Sequence, residues 1–307
     1  MKIKILDYKA ILEELSISLV ALKEYLDGGR KDVLHNTDIF CENVRTINLV
    51  EKDFSLFSRV DSIDSDTVVV FPIYLELFEF LGLHENVKRS IEIYSSRYPD
   101  NKVVFFWNHD RDFKDYNETT LKNKNCRVIN YNTSEKTGND IVVPFWTMED
   151  IAPIKEEKQI YCSFIGRMTH ETRRLIARKI IEYDSPKFQY FNSLAYNEYR
   201  KKLSQTKFSL CPRGAGLSSY RFFECIHANT IPVLIADSVV LPYQDELDYS
   251  KFSVRVLEKD AGNLELMYSS FKSLDYDSLM MNLNQVRNNF SLPFIQKYIH
   301  DELRKSK

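Results

Sequence analysis

Short apolar runs alternate with helix-length amphipathic patterns along the chain, in two successive series, as a parallel sheet covered by helices requires. In the first series the pattern predicts strands at 2–6, 67–71, 102–107, 127–130 and 141–143, with helices near 8–27 and 85–98. In the second it predicts strands at 159–165, 188–191, 208–211, 231–235 and 252–256. Between them, PFWTMEDIAPIKEEK (144–158) carries two prolines and a charged end, which suits an interdomain crossing. The chain has 307 residues, more than one hydrophobic core usually serves. The expected architecture is therefore α/β, with two doubly wound, Rossmann-like domains at 1–150 and 151–290 and a terminal helix at 291–307 returning to the first domain. Facing domains of this kind place the C-terminal edges of both sheets on one cleft, where open α/β sheets bind ligands.

Charge and cysteine usage narrow the function. Lys plus Arg is 42 and Asp plus Glu is 44, so no global field draws the chain to nucleic acid or anionic lipid, and no basic stripe interleaves with aromatics. Any anion site is local. The five cysteines are odd in number and include no CxxC pair, which argues against a disulfide framework or a zinc site. The opening MKIKILDYKA lacks the apolar core of a signal peptide, and no stretch reaches the ~20 apolar residues of a membrane span. A cytoplasmic location with reduced thiols is expected.

The segment 208–224, FSLCPRGAGLSSYRFFE, reads as a strand, a glycine turn and a helix. Pro212 ends the ladder, Gly214 and Gly216 permit a tight turn, and Ser218 or Ser219 caps a helix running from Tyr220 to His227. Backbone N–H groups and the positive helix end make such a turn a phosphate site, and Arg213 adds a bidentate grip. Arg221 and Glu224, three residues apart, either pair with each other or both face a ligand, where the carboxylate would accept from ribose hydroxyls. The pattern is neither GxGxxG nor GxxxxGK[ST]. A second site with the same physics runs from Phe164 to Arg173, where a strand ends at Gly166 and Thr169 is placed to cap the next helix.

The stretch 208–237, FSLCPRGAGLSSYRFFECIHANTIPVLIAD, resembles the signature of exostosin-like glycosyltransferases, with proline, arginine, glycine, serine, arginine, glutamate and the Ile-Pro-Val strand in the family's order. Leu241-Pro242-Tyr243, Lys251-Phe252-Ser253-Val254, the upstream CSFIGR (162–167) and Arg173 extend the resemblance over most of 159–257. In the first half, DTVVVFP (66–72) and NDIVVP (139–144) resemble family segments, while WNHDRD (107–112) departs from the family's Gly-Arg-Asp-His element. The resemblance implies a GT-B fold, a nucleotide-sugar donor, expected to be a UDP-sugar, held by the second domain, and transfer with inversion to a hydroxyl of a glycan acceptor. The expected donor-binding residues are Gly166, Arg167, Arg173, Arg213, Gly214, Gly216, Ser218, Ser219, Tyr220, Arg221 and Glu224.

Inverting transfer needs charge stabilisation for the departing diphosphate and a base for the attacking hydroxyl. The base is expected from the first domain, just beyond the strand 102–107, with His109, Asp110 and Asp112 as candidates and Asp110 favoured. The alternative for these carboxylates is a helix or turn cap. Asp-x-Asp occurs at 64–66, 110–112 and 275–277, but never in the donor signature, so no metal requirement is expected. His35, His84 and His300 read as surface residues, and His170 and His227 as residues of the two helix motifs. The rival functional readings are a non-catalytic nucleotide-sugar-binding scaffold and a retaining transferase of the same fold.

Overall fold

The computed structural model describes residues 1–17, 56–107, 110–145 and 156–305. The first sheet contains β1 (Lys2–Ile5), β2 (Ser58–Arg59), β3 (Val68–Tyr74), β4 (Val103–Trp107), β5 (Cys126–Asn130) and β6 (Asp140–Val142). All its pairings are parallel, in the order β2-β1-β3-β4-β5-β6. It is accompanied by α1 (Tyr8–Glu14), α2 (Glu76–Phe80), α3 (His84–Arg97) and α4 (Asn117–Lys122). The pleat sorts the strand side chains by face. Val69, Phe71, Ile73, Val103, Phe105 and Trp107 pack with α1 and α3, while Val68, Val70, Tyr74, Val104 and Phe106 join a core that continues into the second domain.

The second sheet contains β7 (Ile160–Ile165), β8 (Phe188–Phe191), β9 (Thr206–Pro212), β10 (Ile231–Ile235) and β11 (Val254–Val256), also wholly parallel, in the order β11-β10-β9-β7-β8. Its helices are α5 (Glu171–Tyr183), α6 (Tyr196–Ser204), α7 (Tyr220–His227), α8 (Leu264–Lys272) and α9 (Tyr276–Val286). From β7 the chain moves to β8 on one side, then returns to place β9 on the other. That reversal opens a crevice between the C-terminal ends of β7 and β9, the switch point at which doubly wound sheets bind ligands. Both ends carry the glycine motifs.

Three departures from the sequence reading have local causes. β3 runs past Pro72 to Tyr74, where the proline had suggested a stop at 71, because a register shift between Val70 and Tyr74 relieves the ladder of the missing N–H. Helix α1 ends at Glu14, well short of 27: Ser16 turns left-handed (φ 58°), its N–H bonds Glu13 O and the Ile17 N–H bonds Leu12 O, a Schellman closure. The remainder of that expected helix lies outside the described residues, as does most of the crossing segment with the expected boundary near 150. His300, expected at the surface, is buried on α10 (Leu292–Arg304), edge-on to Phe57 at 5.6 Å. The same helix meets the first sheet through Lys102, whose ammonium donates to the Leu303 and Lys305 carbonyls. Among the described residues no helix is long and apolar enough to cross a membrane.

Phe208, central in the second domain, stacks on Phe271 at 4.9 Å and meets Tyr276 edge-on. Phe208→Ala should lower unfolding stability by about 3–5 kcal/mol in urea titrations; a loss under about 1 kcal/mol would mean that this layer is not a packed core.

Candidate functional site

Gly166 follows β7 with φ at 156°, and the guanidinium of Arg221, one residue into α7, lies directly against it. A methyl carbon at Gly166 would sit 2.7 Å from Arg221 Nη2 and 3.0 Å from Nη1. The glycine is therefore what admits the arginine. Arg221 is only partly exposed, and its Nε and Nη1 are sealed from solvent with no hydrogen-bond partner among the described residues. Burial opposes its charge, but Tyr199, Cys211 and Glu224 outweigh that and hold the guanidinium above its ordinary pKa. The result is a cation with stranded donors, and each such buried group costs about 1–3 kcal/mol or more until something accepts from it.

Glu224 does not form an ion pair with Arg221 among the described residues; its Oε2 accepts from the Tyr199 phenol. Burial first, and then the adjacent Glu224, push that phenol well above its ordinary pKa, so it remains a donor. Arg173, in the first turn of α5, donates from Nε to the Arg213 carbonyl at 3.1 Å and from Nη2 to the Pro212 carbonyl at 3.4 Å. A methyl carbon at Gly214 would lie 3.1 Å from its Nη2. Burial, followed by the like charge of Arg221, lowers the Arg173 pKa. Two guanidiniums that repel each other at a switch point make a local field for an anion.

The remaining donor-side residues are distributed around this pair. Arg213 is mostly covered: its Nη2 donates to the Ala215 carbonyl at 3.1 Å, Nη1 lies 3.8 Å from Glu258 Oε1, and Nε is buried with no hydrogen-bond partner among the described residues. Arg167 is exposed. Ser219 is the N-cap residue of α7, without a side-chain cap bond, and Tyr220 stacks on Phe145 at 4.0 Å. At α5 the cap is His170, whose Nδ1 accepts the Thr172 N–H, and not Thr169, whose hydroxyl accepts from Arg173 Nη1. The expectation of open backbone N–H groups along the glycine turn also needs correction, because the N–H groups of Leu217 and Ser218 are both taken by Asn132 Oδ1, at 2.8 and 3.0 Å.

Across the cleft, Asp110 is exposed and abuts the same turn: a methyl carbon at Gly216 would lie 2.9 Å from its Oδ1. Asp112 faces elsewhere. It caps the short turn Phe113–Tyr116 by accepting the Lys114 N–H, and it accepts the Ser134 N–H and hydroxyl, the role of a structural cap. His109 lies outside the described residues. Of the other Asp-x-Asp pairs, Asp64 precedes β3 at the opposite edge of the sheet and pairs with Lys2, and Asp275 caps α9. The residues that the sequence reading missed here are Asn132, Tyr199, Phe145 and Glu258. For Asn132 there was one usable signal, its place in the loop just beyond the C-terminal end of β5.

The exostosin GT47 domain profile matches residues 100–270, more than half of the chain and including both glycine motifs. The chain belongs to the exostosin family of glycosyltransferases. It is similar to a probable glucuronosyltransferase of Oryza sativa subsp. japonica (27% identical over 151 residues, 46% of this chain and 35% of that protein). It is also similar to an exostosin-1 homolog of Caenorhabditis elegans (38% over 74 residues, 24% of this chain and 19% of that protein). Neither match spans more than about a third of the relative's length. The solved GtfA/B complex superposes with a TM-score of 0.50 over 80% of this chain and 58% of that one, at 11% identity. The two facing parallel sheets are thus those of the GT-B fold.

Gly166→Ala should displace the Arg221 guanidinium and weaken binding of inorganic pyrophosphate by about tenfold or more, the loss of one charge-assisted contact, as read by titration calorimetry. Unchanged affinity would show that the anion sits elsewhere.

Proposed function

We propose that the chain is an inverting glycosyltransferase that moves a sugar from a UDP-sugar to a hydroxyl of a glycan acceptor. The observation that carries this reading is the pair of stranded Arg221 donors beside Gly166, at the switch point of the second sheet. A diphosphate supplies acceptors for those donors and offsets the repulsion between Arg173 and Arg221. Glu224, fixed by Tyr199, keeps a second carboxylate oxygen for the ribose hydroxyls. Relatives named probable glucuronosyltransferases and a probable beta-1,4-xylosyltransferase support UDP-glucuronic acid and UDP-xylose as first donors to try.

In this mechanism Asp110 takes the proton of the acceptor hydroxyl as its oxygen attacks the anomeric carbon from the face opposite the diphosphate. The bond from that carbon to the phosphate oxygen breaks, and UDP leaves with its negative charge held by Arg221, Arg173 and the N-terminal turn of α7. Guanidiniums and helix dipole here supply the charge stabilisation that a divalent cation supplies in other transferases, so metal-independent transfer is part of the proposal.

Arg221→Ala should weaken UDP binding about 100-fold, the scale of losing a bidentate charge-assisted contact. Asp110→Asn should leave UDP affinity within about threefold of wild type while transfer falls by about 100-fold to 10,000-fold. Calorimetry and UDP-release assays over the donor panel, with and without EDTA, read all of these. Wild-type transfer by Asp110→Asn would place the base elsewhere, and loss of activity in EDTA would contradict the metal-independent mechanism.

A further inference from the structure

The loop that follows β5 crosses the cleft. Thr133 O accepts the Val240 N–H at 2.9 Å, Lys136 pairs with Asp245 at 2.6 Å, and Asn132, only 1% exposed, sits at the point nearest the glycine turn. Among the described residues its amide makes bonds of two kinds. Oδ1 accepts from the N–H groups of Leu217 and Ser218, and Nδ2 donates to the Asp110 carbonyl at 2.8 Å. The neighbours dictate that orientation, since two N–H groups need an acceptor and a carbonyl needs a donor. One side chain therefore spans the loop carrying Asp110 and the turn carrying Gly214 and Gly216. Gly216 completes the fit, because a methyl carbon there would also lie 3.1 Å from Asn132 Nδ2.

We propose that Asn132 is the positioning residue that sets the Asp110 carboxylate in register with the donor turn, so that base and diphosphate are held at a fixed separation; this rests on the donor reading above. No other amino-acid side chain reproduces it at neutral pH. Glutamine is one methylene too long for contacts this close, and aspartate can accept from both N–H groups but turns a lone pair on the Asp110 carbonyl. A protonated aspartic acid regains the donor and matches the asparagine in shape. Val240, Asp245 and the Tyr131–Phe145–Tyr220 stack still join the domains when Asn132 is replaced, so the variants keep their fold.

The test compares full-length wild type, Asn132→Ala and Asn132→Asp. Both variants are expected to bind UDP within about threefold of wild type while UDP release from UDP-glucuronic acid or UDP-xylose falls about 100-fold, the scale of a misplaced reacting group. The activity ratio of Asn132→Asp to wild type should then climb as pH falls from 8 to 5, while the Asn132→Ala ratio stays flat. Asp110 and Asp112 beside residue 132 and Arg173 across the cleft are common to all three proteins, so the Asn132→Ala ratio is the control for their own titration, while in Asn132→Asp the new carboxyl titrates together with the adjacent Asp110. Wild-type turnover in Asn132→Ala, UDP affinity lost in step with turnover, or a flat Asn132→Asp ratio would each overturn the proposal. A wild-type chain that binds no UDP overturns the donor reading instead. The latch is then read from amide exchange at Leu217 and Ser218, which Asn132→Ala should accelerate about tenfold or more and which would be unchanged if the bonds do not form.

Discussion

The guanidinium of Arg221 lies where a Cβ on Gly166 would otherwise be, and the rest of the site is arranged around that contact. The strand β7 must end in a glycine, the helix α7 must begin one residue before its arginine, and the two must come from strands adjacent in space though separated in sequence. The switch of direction between β7 and β9 meets the third condition. The arginine keeps its charge because Tyr199, Cys211 and Glu224 outweigh burial, yet two of its nitrogens find no acceptor among the described residues. A fold that holds a charged group in this state tolerates a destabilising element, which is typical of places where binding, not stability, sets the residue.

A second constraint is the distance between the two sheets. Catalysis of the proposed kind needs an acceptor-side base and a donor-side anion site to remain in register, and a cleft between two domains is free to vary unless something spans it. Here the loop after β5 does so with a buried amide, a backbone bond and an ion pair, and the stack of Tyr131, Phe145 and Tyr220 adds aromatic surface at 5.6 and 4.0 Å. Helix α10 ties the far side, with His300 against Phe57 and Lys102 on its last carbonyls.

The sheets were legible because buried parallel strands are written as continuous apolar runs; Phe188–Phe191 and Ile231–Ile235 have the ends expected from sequence. Ends governed by backbone geometry were not: a bulge carries β3 through Pro72, and a left-handed Ser16 closes α1. Gly166, Gly214, Arg173 and Arg221 were legible through the strand-turn-helix grammar and the family resemblance, and the structure brings them together. Asn132 meets Leu217 from 85 residues away, a pairing that no local pattern encodes. Asp110 was favoured over Asp112 in sequence, but no local pattern gave the reason, because a turn cap and an exposed carboxylate two residues apart use the same residue type; the bonds from Lys114 and Ser134 assign Asp112 to the cap.

A crystal structure of the chain with UDP tests the central claim most directly. The account predicts the diphosphate between Gly166 and the 213–216 turn, with phosphate oxygens accepting from Arg221 Nε or Nη1 and the ribose hydroxyls on Glu224. A nucleotide bound outside the β7–β9 crevice, or one that leaves both Arg221 nitrogens without a partner, would contradict it.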